Sequence, residues 1–143
     1  MTEMLINKQD ASTFGVRMGD GFLDAICSPL PLKEFVENSS RLEDGKRVLY
    51  NSPKIDERDV TLTFNIHGDT EEEFTANKAT FEQILYSGKV EIHLPVTGKT
   101  YRLTYLRSQS YAQNIARTSC SVSVKFNEPN PRNREANDSS ILL

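Results

Sequence analysis

Two histidines, two cysteines and one Gly-Lys-Thr run are the first places to look for chemistry in this chain of 143 residues. Gly98-Lys99-Thr100 has the ending of a phosphate-binding loop, in which backbone N–H groups and a lysine cradle phosphate oxygens. That loop needs an earlier glycine, where His93 stands, and a strand–loop–helix setting. The flanks here read as two strands, so the run reads as a hairpin tip with a solvated lysine. His67 and His93 could ligate a metal together with Glu91 if the strands carrying them were paired. A zinc site takes three or four protein ligands, and no convincing set completes this one. Both imidazoles fall on the polar side of their strands and read as solvated.

The remaining candidates have plain structural readings. Glu71-Glu72-Glu73 could gather a cation, but three carboxylates in the first turn of a helix already suit the helix dipole. Cys120 alternates with Val122 and Val124, which makes it a small core residue rather than a nucleophile, and no base stands near it in sequence. Ser119, Ser121 and Ser123 are the polar side of the same strand. No G-x-S-x-G elbow occurs. No catalytic, cofactor-binding or metal-binding residue is therefore assigned, and the chain is read as a non-enzyme. A hydrolase with a dispersed site, using His67 or His93 beside a Ser or Asp, is the least favoured reading.

The elements that would position such residues are clear in the second half. Val60, Leu62, Phe64 and Ile66 alternate with Thr61, Thr63, Asn65 and His67, the signature of a half-buried antiparallel strand. Thr70 and Glu73 have capping-box spacing. Phe74, Phe81, Ile84 and Leu85 share one helical face, and Gly88 suits a helix C-terminus. The spacing predicts one amphipathic helix over about 70–87. Val90, Ile92, Leu94 and Val96 then alternate, with Pro95 marking an edge or the end of pairing. Thr97-Gly98 turns the chain, Tyr101, Leu103 and Tyr105 return, and a longer strand is expected over about 116–126. The first third is less regular: strands are expected at Met4–Ile6, Phe14–Met18, Leu32–Val36 and Arg47–Tyr50, with turns at Gly19-Asp20-Gly21 and Asp44-Gly45. The fold class expected is β-rich α+β: an antiparallel β-sandwich or partly open barrel with one helix packed on it.

Length suits one domain, placed at 1–127, followed by a polar C-terminal arm over 128–143 that opens on Glu128-Pro129-Asn130-Pro131. With 17 basic and 20 acidic residues the net charge is −3, so no basic field exists to hold nucleic acid through its phosphates. Apolar runs are too short for a membrane span. No secretory signal is read at Met1–Ser12, and Cys27 and Cys120 are expected as reduced thiols.

The order of elements from Arg58 to Pro95, followed by "KTYRLTYLRSQS" and "SCSVSVKFNEPNPRNR", resembles phage tail proteins of the distal-tail and tail-tube type. Asp44–Tyr50 and Arg58–Phe64 look like that family's early strands, and the resemblance runs from about Phe14 to Arg134. It implies the ring-forming N-terminal domain of such a protein: a structural subunit of a phage or prophage tail, assembling into a ring, usually hexameric. Neighbours would pair strands, the loop Glu37–Glu57 would reach over the adjacent subunit, and the arm after Phe126 would turn outward to dock elsewhere in the assembly. The implied partners are copies of itself and other tail proteins, with no specific nucleic acid and no membrane. The implied location is the virion tail, after synthesis in the bacterial host cytoplasm. No cofactor is implied. The alternative is a small β-barrel module that binds a ligand or carbohydrate.

Overall fold

Alternating side chains build the centre of the sheet. The computed structural model describes residues 2–33, 36–39, 46–49 and 54–135. Strand β6, Arg58–His67, turns Arg58, Val60, Leu62, Phe64 and Ile66 inward. Strand β9, Ser119–Glu128, does the same with Cys120, Val122, Val124, Phe126 and Glu128. The two pair antiparallel over their full length, from Arg58 opposite Glu128 to His67 opposite Ser119. A single-residue slip would send every apolar side chain to the wrong face, so the pattern itself pins the register.

Around this pair lie β1 (Leu5–Ile6), β2 (Gln9–Asp10), β3 (Val16–Met18), β7 (Lys89–Leu94) and β8 (Lys99–Gln113). The seven strands form one sheet in the order β2-β1-β7-β8-β9-β6-β3, curled into half a barrel. The expected β-rich α+β class holds, in its partly open barrel form. A separate hairpin joins β4 (Val36–Ser39) to β5 (Lys46–Leu49). The expected Asp44-Gly45 turn between them lies outside the described residues, as does Tyr50.

Helix α2, Glu71–Tyr86, is where the spacing predicts it. Thr70 Oγ1 accepts from Glu73 N–H at 3.1 Å, and Glu73 reaches back to the Asp69 N–H at 3.3 Å. The helix ends at Gly88, whose φ of 86° is the left-handed conformation that glycine adopts without strain. Its face of Phe74, Phe81 and Leu85 is buried, and Phe64 sits at the centre of the core with Phe81, Phe22 and Phe126 around it at ring distances of 4.9, 5.4 and 6.2 Å.

The structure departs from the sequence pattern in several places. Phe22–Ile26 forms a short helix, α1, directly after the turn expected at Gly19-Asp20-Gly21, and a 3-10 turn covers Ala11–Phe14. Leu32 makes an isolated bridge to Ile55, and the strand follows later, at Val36–Ser39. Pairing of β7 stops at Leu94, as Pro95 requires, so Val96 is exposed in the turn rather than inward. Strand β8 runs on to Gln113, well past Tyr105, and β9 begins at Ser119 rather than Ala116. The extension is invisible to hydrophobic alternation because Ser108, Gln109, Ser110 and Gln113 are polar on both faces; hydrogen bonds to β9 hold it instead.

Candidate assembly surface

The residues that could do chemistry are not gathered. His67 lies on β6 and His93 on β7, with β8 and β9 between those strands, so no metal pair forms across adjacent strands. His67 stands 3.5 Å from Asp69 at the surface, and His93 Nδ1 shares a hydrogen bond with Thr100 Oγ1 at 2.9 Å. Glu91 pairs with Arg102 at 3.3 Å. Glu71 meets Arg117 at 3.3 Å, at the helix start. Gly98-Lys99-Thr100 is the tip of the β7–β8 hairpin, where Gly98 takes a φ of 70°. Among the described residues, no three His, Cys, Asp or Glu side chains cluster as a cation site. Burial pushes the Cys120 thiol up, so it stays protonated.

The strongest electrostatic feature is one that motif reading missed. Glu128 is fully buried, and accepts from Arg58 Nε at 2.7 Å and from Arg134 Nε and Nη2 at 2.8 and 2.6 Å. Arg58 also donates to Ile26 O at 2.7 Å and to Ser28 O at 3.3 Å. Burial pushes the Glu128 carboxyl up, but the hydrogen bonds from Arg134 and Arg58 outweigh it and hold the group below the usual carboxylate range. The signal was present in the sequence: Arg58 and Glu128 continue the inward parity of β6 and β9, where a charge needs a partner. Among the described residues every buried side-chain polar atom is hydrogen bonded, so the buried part of this cluster closes on itself.

Arg134 also redirects the C-terminal segment. Its carbonyl accepts from Thr100 N at 2.7 Å, its guanidinium lies 4.9 Å from the Tyr101 ring centre, and Asn133 O accepts from Arg102 Nη1 at 3.1 Å. The chain was expected to turn outward after Pro129 and Pro131. It instead folds back on β8 as far as Glu135, because the buried carboxylate of Glu128 draws Arg134 inward. The rest of the expected arm, 136–143, lies outside the described residues.

What remains open is an edge. Strand β7 covers one side of β8 only as far as Thr104, and Tyr105 N–H donates to Gly88 O at 2.9 Å. From Leu106 to Gln113, β8 pairs with β9 on one side, and no strand among the described residues pairs with the other. Leu106, Tyr111 and, at the hairpin tip, Ile115 expose large apolar side chains there. A cleft of about 180 Å³ opens between this stretch and α2, with Ile66, Phe81 and Val122 among its lining and Ser108, Lys78 and Tyr111 at its rim. Lys78 Nζ bonds Glu82 at 3.0 Å and sits 5.3 Å from the Tyr111 ring centre.

No protein-family model matches the chain, and no curated protein matches it. Among solved structures it is similar to the Dit protein of phage SPP1, described as a paradigm of the hub adsorption apparatus in phages that infect Gram-positive bacteria. The TM-score is 0.58 at 17% identity, over 90% of this chain and 50% of that one. The likeness is one of fold. The chain spans about half the length of that protein. No helix among the described residues is long and apolar enough to cross a membrane.

Proposed function

We propose that this chain is a structural, non-enzymatic subunit of a phage or prophage tail, of the distal-tail or tail-tube type. Copies assemble into a ring, hexameric by the family resemblance, through strand pairing and exchange of loops or arms. The chain works in the virion tail with copies of itself and other tail proteins, after synthesis in the bacterial host cytoplasm.

The observation that carries this reading is the edge of β8 from Leu106 to Gln113, left open among the described residues, on a fold similar to that of a phage hub protein. An unpaired edge with exposed apolar side chains is a liability in an isolated subunit. Closure of a ring pairs such edges and removes them.

Light scattering across a concentration series tests it. A mass near six times 16.2 kDa supports the ring. A monomeric mass at every concentration, alone and with other tail proteins, counts against it. A second reading, a small binding module, draws on the α2/β8 cleft. It requires a ligand that raises the melting temperature while the mass stays that of one chain.

A further inference from the structure

We propose that the pocket beside the tip of the β7–β8 hairpin binds a phosphate monoester, through Lys99, Arg132 and the outer edge of the Arg134 guanidinium. The inference is independent of the ring reading. It uses the opposite end of β8 from the open edge.

Two cations at this tip are unspent. Lys99 and Arg132 are exposed, and no ion pair among the described residues uses either of them. Together with Arg134 they line a pocket of about 400 Å³. Arg134 is the part that the fold builds. Its side chain is only 13% exposed, and its Nε and Nη2 are given to Glu128. Its Nη1 has no hydrogen-bond partner among the described residues. Every buried side-chain polar atom there is hydrogen bonded, so Nη1 opens on the pocket. Glu128 and the Tyr101 ring fix the guanidinium, so the Nη1 donors are aimed before a ligand arrives.

The pocket is electropositive in a chain of net charge −3. Glu128 answers both Arg134 and Arg58, so the cluster behind the pocket carries one positive charge in excess. Lys99 and Arg132 add to it, and Glu135, which also lines the pocket, subtracts. An anion gains from that balance, and a dianion gains more. Three separate sets of N–H donors match the three terminal oxygens of a phosphate ester better than the two of a carboxylate. Leu30 and Ile55 give the pocket an apolar wall, which suits the organic part of an ester. That wall is tied down by the Leu32–Ile55 bridge and by Lys33 N–H donating to Lys54 O at 2.9 Å. The site is not a phosphate-binding loop, although Gly98-Lys99-Thr100 borders it. Gly98 N–H donates to Leu94 O, Lys99 N–H to Thr97 Oγ1 and Thr100 N–H to Arg134 O, so side chains and not the backbone hold the ligand.

The test is isothermal titration calorimetry of the intact chain with phenyl phosphate, at low salt in a buffer free of phosphate. One saturable site is expected. Lys99→Ala and Arg132→Ala should each weaken binding about tenfold, since each removes a charge-assisted hydrogen bond. Both residues are exposed, so their melting temperatures should match the wild type. Glu135→Gln should tighten binding, because it removes the opposing charge. Inorganic phosphate should bind more weakly than phenyl phosphate, having nothing to set against Leu30 and Ile55. Benzoate should also bind more weakly, having one charge and two oxygens. No saturable binding of phenyl phosphate overturns the inference. Binding that both alanine substitutions leave unchanged overturns it too, because the ligand then sits elsewhere. Benzoate held as tightly as phenyl phosphate overturns the choice of phosphate, and inorganic phosphate held as tightly overturns the choice of an ester. None of these outcomes bears on the ring mass.

Discussion

Glu128→Gln tests the account of the buried cluster most directly. The carboxylate is fully buried, accepts three short hydrogen bonds and answers two guanidiniums. The amide keeps the shape but removes the charge, and its NH2 group now faces a donor. Breaking a buried ion pair from one side costs about 3–5 kcal/mol, because the partner charge stays behind. Arg58 cannot relax far, since Ile26 O and Ser28 O already hold it. Arg134 can, being at the end of the fold-back. That places the expected cost near the lower bound, about 3 kcal/mol. At about 3 °C per kcal/mol for a domain of this size, the melting temperature should fall by about 9 °C. Arg134→Ala removes two of the three bonds but leaves Arg58 paired, so it should cost less, about 2 kcal/mol. The pH dependence has a definite sign. The folded carboxyl titrates below its unfolded value, so its contribution is complete above the unfolded pKa and is lost as the pH falls through the folded one. The wild type should therefore lose stability on acidification below the ordinary glutamate range, and Glu128→Gln should lose less. Circular dichroism melts from pH 3 to pH 7 measure both. A Glu128→Gln melting temperature within about 2 °C of wild type, with an unchanged acid limb, would refute the reasoning.

Three further outcomes are expected. Thr70→Ala removes the side-chain cap on Glu73 N–H and should cost about 1 kcal/mol, read as a modest drop in chemical-denaturation midpoint. Gly15→Ala should cost about 3 kcal/mol or more: Gly15 sits at a φ of 68°, and an added Cβ would stand 2.1 Å from His67 O, which Asn77 also engages; soluble yield and melting temperature report it. A thiol reagent at neutral pH should titrate Cys27 quickly, because it is exposed, and reach buried Cys120 only on unfolding.

The sequence by itself determined those elements whose reason for existing is local. Period-two alternation placed β6, β7, the start of β8 and most of β9, and Thr70, Glu73 and Gly88 bounded α2, because burial of one face and satisfaction of helix ends are legible within a few residues. Tertiary structure alone decided the rest. The second half of β8 has no apolar face to announce it and exists through its pairing with β9. Helix α1 is short and takes its place by setting Phe22 against Phe64. The meeting of Arg58, Glu128 and Arg134 depends on register between strands far apart in the chain, and it turns the C-terminal segment inward where its prolines suggested an exit. The candidate surface belongs to the same class: an open edge is defined by which strand fails to reach it, and that is a property of the sheet, not of the residues along the edge.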